Sequence, residues 1–299
     1  MPMLPEDAQV PGGVYLCQAG PDISCGSCCG LYNMTDLRRE RLRNILLERT
    51  ERFAAVTRNV DAILAFEQER FAREGTDYPL ADFHHCVFVG LIQDGGERVG
   101  CLLHPLASGN KGVDWRGLSF YGGAACKLFF CPSHHLGAAK WKRVAREVVD
   151  DWFDYGLIAP EYRLNQALIE EVEARAGREI DPDAMDADLK AALAALFRLK
   201  VQWPFRAPDA PLAWNFFSTR NTDRRERLGS ILDNEPRLRT ILHELDTQPE
   251  HVPSALRLLE ERLTRAAEEI RRGWTDVSAD ERDKSDPRSR RGAWPEALY

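Results

Sequence analysis

The chain has 299 residues, 44% of them hydrophobic, and a net charge of −7 at pH 7. That is long enough for two domains, or one domain with a large extension, and ordinary for a chain that packs a core. No run of about 18 apolar residues is present, which argues against a membrane span, and the acidic balance argues against nucleic acid as the main partner.

The N-terminus MPMLPEDAQVPGG has prolines and acids where a secretory leader would carry basic and then apolar residues, so the expected location is cytoplasmic. Residues 22–33 read DISCGSCCGLYN and put Cys25, Cys28 and Cys29 within five positions. Thr35 and Asp36 then look like a helix start, and apolar residues at helical spacing (Leu42, Ile45, Leu46, Phe53, Val56, Val60, Ile63, Leu64) run to Gly75. The run is long for one helix, and a break is expected near Thr50. In HHCVFVGLIQDGGERVGCLLHP two apolar runs flank DGGE, which predicts a β-hairpin with Cys86 opening the first run and Cys101 the second. Residues 106–125 read as a loop, and CKLFFC places Cys126 and Cys131 around a short apolar segment.

After Pro132 the pattern becomes helical. HHLGAAKWKRVAREVVDDWFDYG, PEYRLNQALIEEVEARAG, MDADLKAALAALFRLK, RLGSILDNEPRLRTILHEL and PSALRLLEERLTRAAEEIRRG each carry amphipathic spacing. Between the third and fourth, VQWPFRAPDAPLAWNFFST predicts a small hairpin over 201–219, and the polar run DERDKSDPRSRR predicts a disordered tail over 274–299.

The cysteines carry the chemistry. All eight, Cys17, Cys25, Cys28, Cys29, Cys86, Cys101, Cys126 and Cys131, precede residue 132, and His84, His85, His104, His134 and His135 lie near them. Thiols used only as small core side chains would not stop at one point, and clustered cysteines in a reducing compartment are more often metal ligands than disulfides. All eight are therefore candidate ligands, although Cys17 fits a buried core side chain equally well. His84, His85, His134 and His135 fit surface positions or support of the ligands better than ligation, His104 fits either a further ligand or a surface substitution, and Cys86 beside His85 is a weak catalytic pair because such pairs are set by space, not adjacency. Thiolates suit zinc or iron, and eight could serve two four-coordinate ions, or one four-iron cluster with four left over. Adjacent side chains diverge along the backbone, so Cys28 and Cys29 are easiest to place on different ions. An iron-sulfur cluster is the preferred cofactor and zinc the alternative.

The order Cys25-Gly-Ser-Cys28-Cys29-Gly30, Cys86 before an apolar run, Gly100-Cys101-Leu-Leu-His104-Pro105, Cys126-Lys127 and Cys131-Pro132 resembles the YkgJ-type cysteine-cluster family, described as zinc- or iron-chelating proteins. The resemblance covers residues 17–132 and implies metal binding through these cysteines. The chain departs from that pattern at Cys17, which stands eight residues before Cys25 where the family has three. It departs again at His104 and Lys127, which stand where the family has arginines. A more distant similarity to flagellin lysine methylases, which carry a like cluster, would imply an enzyme, though no methyl-donor motif is visible.

The expected fold is α+β and mostly α-helical: a small cysteine-rich metal-binding domain with a β-hairpin over 1–136, then a helical domain over 137–273. The leading functional expectation is a metal-binding protein whose helical half packs on the cysteine domain or binds a protein partner. The alternatives are a redox or methyltransferase-like enzyme using the cluster, and a zinc-stabilised interaction or regulatory protein. The last rests on the helix and hairpin at 186–219, which loosely resemble a winged helix.

Overall fold

The computed structural model describes residues 3–75, 78–80, 83–92, 96–208, 210, 212, 228, 232 and 234–285, with side chains as far as 272. The chain is mostly helical with a two-stranded antiparallel hairpin, as the sequence implies. Among the described residues no helix is long and apolar enough to cross a membrane.

The first helical run is broken later than expected. Helix α1 spans Arg39–Ala54 and α2 spans Val60–Glu74, and the Asn59 side chain caps α2 by accepting from the Ala62 N–H. Asp36 does not cap α1 because its carboxylate is taken by the backbone and guanidinium of Arg38. Thr50, inside α1, accepts the Leu91 N–H at 2.7 Å and so ties the helix to the hairpin instead of breaking it. That hairpin pairs β1 (Val89–Leu91) with β2 (Val99–Cys101), Val89 opposite Cys101. Residues 93–95 of the expected DGGE turn lie outside the described residues.

The expected loop over 106–125 holds a 3-10 turn at Arg116–Leu118 and the start of helix α3 (Gly122–Leu128). Helix α4 (Pro132–Leu136) follows, with Pro132 in its first turn where the missing N–H costs nothing. The single helix expected after residue 133 is instead three. After α4, Gly137 and Ala138 are extended and α5 (Ala139–Val148) begins. Val149 is extended again, and Asp151 caps α6 (Trp152–Ile158) by accepting from the Phe153 and Asp154 N–H groups. Helix α7 (Tyr162–Ala176) ends at Gly177, whose φ of 69° is the left-handed conformation glycine tolerates. Asp186 caps α8 (Ala187–Phe197), and α9 (Leu199–Gln202) follows. Helix α10 spans Pro236–Glu244 and α11 spans Val252–Ser285.

The tail expected from residue 274 thus begins inside α11, and 286–299 lie outside the described residues. Of the hairpin expected over 201–219, the first residues belong to α9 and Arg206 bridges to Thr247, while 209, 211 and 213–219 lie outside the described residues.

Two hydrophobic cores result. The first joins Val14, Leu16 and Ala19 to α5, α7, α8, α10 and α11. The second joins Leu31 and Tyr32 to α1, α2 and the hairpin. Helix α6 serves both, since Tyr155 and Ile158 belong to the first core and Trp152, Phe153 and Leu157 to the second. The residues before 137 therefore share both cores with the helices that follow.

Candidate metal centre

The eight-residue gap between Cys17 and Cys25 is folded back on itself. Gly20 donates to the Ile23 carbonyl at 3.0 Å, Gln18 bridges Ser24, and the Cys25 N–H donates to the Cys17 carbonyl at 2.9 Å. This turn leaves Cys17 beside Cys25. Cys28 and Cys29 lie in a 3-10 turn, Ser27–Cys29, closed by Gly30 at φ 76°. A Cβ on Gly30 would run into the His84 carbonyl oxygen, so glycine allows this turn to pack on the segment His84–Cys86. The Cys86 N–H then donates to the Cys29 carbonyl at 2.8 Å. In the hairpin Cys101 faces Val89, and Leu102 donates to the Phe88 carbonyl at 2.8 Å. The open end of the hairpin therefore brings Cys86 and Cys101 together, which the sequence alone did not require.

The thiols fall into two quartets by the charges they feel. Cys17 feels Cys28, Cys25 and Cys131, and Cys25 feels Cys28 and Cys131. Cys29 feels Cys86 and Cys101 besides its neighbour Cys28, Cys86 feels Cys101 and Cys126, and Cys101 feels Cys126. The first quartet is thus Cys17, Cys25, Cys28 and Cys131, and the second is Cys29, Cys86, Cys101 and Cys126. A cavity of about 20 Å³, room for one water-sized guest, is lined by all four cysteines of the first quartet together with Leu16, Ser27, Phe129, Ala159 and Pro160. Cys25 packs against the first hydrophobic core, whereas Cys29, Cys86 and Cys101 belong to or pack against the second.

Burial raises most of these thiols. It pushes Cys25 and Cys86 up to about 12 and Cys101 to about 11, helped in each case by neighbouring thiol charge. Cys28 is the exception: the Cys29 thiol hydrogen-bonds it and lowers it. The backbone just after Cys25, Cys86, Cys101 and Cys131 lowers these thiols against the effect of burial, at Ser27, at Phe88, at Leu103 and His104, and at Ser133 and His134; the His104 and His134 N–H groups are themselves bonded to the Cys101 and Cys131 carbonyls at 3.1 and 2.9 Å. A lowered thiol ionises more readily to the thiolate, the form that binds metal.

The donor chemistry thus fits a thiolate-bound ion in each quartet. Among the described residues, no three Cys, His, Asp or Glu side chains yet converge closely enough to hold one. Cys28 and Cys29, which hydrogen-bond each other, would have to turn apart to serve separate ions. Cys126 is exposed, on helix α3, with the Ser119 hydroxyl 3.2 Å from its sulfur.

The histidines are not placed as ligands. His134 is fully buried, and its Nε2 accepts the Leu16 N–H at 3.1 Å. The neutral ring then carries its proton on Nδ1, which lies 3.5 Å from the Cys131 sulfur, and burial pushes its pKa down to about 4. His134 therefore couples the segment before Cys17 to Cys131. His85 bonds the Gly30 carbonyl through Nδ1 and Arg49 through Nε2, so it does not pair with Cys86. His104 accepts the Leu106 N–H, and its charged neighbours are Arg116 and Asp114. His84 stacks on Phe120 with ring centroids 4.1 Å apart. His135 is exposed.

Sequence reasoning did not single out Ser27, Ser133, Lys142 or Tyr155. Ser27 and Ser133 both stand two positions after a quartet cysteine, a spacing visible in CGS and CPS. Lys142 is fully buried and donates to the His134 carbonyl at 2.8 Å, and nothing in the helix pattern marks it. No family model matches the chain, and neither the curated proteins nor the solved structures yield a match.

Proposed function

We propose that the chain is a metal-binding protein with two centres, each held by four cysteines: Cys17, Cys25, Cys28 and Cys131 in the first, Cys29, Cys86, Cys101 and Cys126 in the second. The observation that carries this reading is the cavity lined by all four cysteines of the first quartet, which come from three separate stretches of chain. Its size suits a single ion better than a four-iron cluster, so zinc replaces the iron-sulfur cluster as the cofactor we favour. This reading agrees with the metal binding that the YkgJ-type resemblance implies.

The enzyme reading has less support. The cavity does join segments from both parts of the chain, but among the described residues Ser27 is its only polar lining residue apart from the cysteines, too few groups to handle a substrate. The regulatory reading loses its basis in α8, whose exposed residues Ala187, Asp188 and Ala191 include no cation and whose Lys190 bonds Glu147.

Elemental analysis and a visible spectrum of protein purified without oxygen test the proposal. Two zinc ions per chain and no colour are expected. Iron with acid-labile sulfide would keep the two-centre arrangement and change the metal. Less than one metal per chain, with eight free thiols by titration, would overturn it.

A further inference from the structure

The His134 ring touches both ends of the first quartet at once. It is fully buried, and each of its nitrogens has a partner. Nε2 accepts the N–H of Leu16, the residue before Cys17, at 3.1 Å, and Nδ1 lies 3.5 Å from the Cys131 sulfur. The first contact settles the tautomer, because a ring nitrogen that accepts an N–H carries no proton of its own. The ring proton therefore sits on Nδ1, facing the sulfur. The ring has little freedom to turn away. Phe130 and Tyr15 tilt against it with centroids 5.0 and 6.4 Å away. Its main chain is pinned as well, since the His134 N–H donates to the Cys131 carbonyl at 2.9 Å and the buried Lys142 Nζ donates to the His134 carbonyl at 2.8 Å.

The strength of this contact depends on the state of the sulfur. A protonated thiol is a weak acceptor, whereas a charged sulfur draws a short, strong hydrogen bond. Metal binding displaces the thiol proton, so the bond from Nδ1 strengthens when the first centre fills. Hydrogen bonds in a chain polarise one another, and a ring that gives more of its Nδ1 proton to the sulfur becomes a better acceptor at Nε2. The Leu16 N–H is then held more firmly, and with it the segment that delivers Cys17. His85 provides the contrast. Its ring is buried too, but it joins the Gly30 carbonyl to Arg49, neither of which changes charge when metal binds.

We propose that His134 is a positioning residue of the first centre: it donates from Nδ1 to the metal-bound sulfur of Cys131 and, through Nε2, tightens the segment that carries Cys17 when the ion is bound. This rests on the two-centre reading above and adds to it a link between the first and last cysteines of the outer quartet. The bond to sulfur fixes the orientation of Cys131 at the ion and draws electron density from it. The bond to Leu16 makes the placing of Cys17 depend on the same ion.

The test uses the full chain loaded with cobalt(II), whose sulfur-to-metal charge-transfer bands report on the thiolates, and two variants that separate the roles of the ring. Asparagine can offer an N–H at the position of Nδ1, and glutamine a carbonyl oxygen at the position of Nε2. Wild type takes up two cobalt ions, and its Leu16 amide is expected to exchange with solvent more slowly once loaded. His134→Gln is expected to keep both ions, to move part of the charge-transfer absorption to longer wavelength, and to bind one ion about tenfold more weakly in chelator competition. Its Leu16 amide should stay protected, but to the same degree with and without metal. His134→Asn is expected to leave the bands near those of wild type and to lose the protection of Leu16. Bands and affinity unchanged in His134→Gln would overturn the assignment, as would equal effects of the two variants on both readouts, which is what a purely structural ring would give. The wild-type amide measurement needs no variant: a Leu16 exchange rate indifferent to cobalt would overturn the proposal even if both variants failed to fold. Uptake of less than one cobalt by wild type would overturn the two-centre reading as well. Uptake of two with an indistinguishable His134→Gln would overturn this inference alone.

Discussion

Cys28 and Cys29 are joined by one peptide bond and belong to different quartets. The two-centre reading therefore makes a sharp statement about two neighbouring residues. Cys28→Ser should lose the ion of the first centre and Cys29→Ser that of the second, each variant retaining one metal by elemental analysis. Loss of both ions from either variant would point to one shared cluster. Gly30 is the residue on which this turn depends. Its φ of 76° and the His84 carbonyl beside it leave no room for a side chain. Gly30→Ala is expected to destabilise the fold by about 2 kcal/mol or more, seen as a lower denaturation midpoint, from left-handed strain and the clash together. The clustering of the eight thiols was legible in the sequence, because their confinement before residue 132 is a pattern in one dimension. Their partition was not. It follows from folds of the chain, such as the Gly20–Ile23 turn and the register of Val89 against Cys101, that no spacing encodes.

Among the elements, the N-terminal segment is held to α5 by one buried ion pair. The Asp7 carboxylate receives Arg146 at 2.7 Å and the Tyr15 and Leu4 N–H groups, and both charged side chains are buried. Burial alone would raise the Asp7 pKa, but Arg146 and the two backbone donors outweigh it and hold the carboxyl below its usual value of 3.8. A depressed carboxylate stabilises the fold above the unfolded pKa and loses that contribution as pH falls through the folded one. Stability should therefore drop below about pH 4, and Asp7→Asn should remove that part of the acid dependence. The variant should also cost about 3 kcal/mol at pH 7 by leaving Arg146 uncompensated, read from denaturant melts at the two pH values. Helix α3 is the opposite case. None of its residues is buried, and Leu128, Phe129 and Phe120 around it are exposed. If Cys126 ligates the second ion, amide exchange across 122–129 should be fast in the metal-free chain and slowed on loading; equal rates would count against Cys126 as a ligand. The start of α8 lies inside the stretch read as helical, with Asp186 as its cap, whereas the Asn59 cap of α2 lay in a run expected to break near Thr50. Helix starts were misread at Asp36, whose carboxylate a neighbouring arginine captures, and at Asp151, whose cap was hidden inside a continuous apolar pattern.

For the whole molecule, α6 decides how the parts hold together. Six of its seven residues are buried, and they divide between two cores that would otherwise meet along a seam. Neither core can lose its packing without exposing side chains of the same helix, which couples their unfolding. The metal-loaded chain is expected to melt in one calorimetric transition, and a chelator should lower that transition as a whole. Two separate transitions, only one of them sensitive to chelator, would show that the cores unfold independently. The mostly helical class was legible from periodicity alone. The sharing of α6 was not, because a helix buried on every side carries no amphipathic stripe to say what it faces.

The order of the two quartets along the chain bears on how the protein is made. The second quartet, positions 29 to 126, is nested within the first, which opens at 17 and closes at 131. A ribosome extending the chain at about 5–20 residues per second releases the last cysteine of the inner set and then, within about a second, the last of the outer one. Until then every nascent chain carries unpaired thiols, and Ala159 and Pro160, which line the cavity of the outer set, have yet to be synthesised. Metal captured early would thus be held first by the inner set, with the outer one completed only as the helices that cover it arrive.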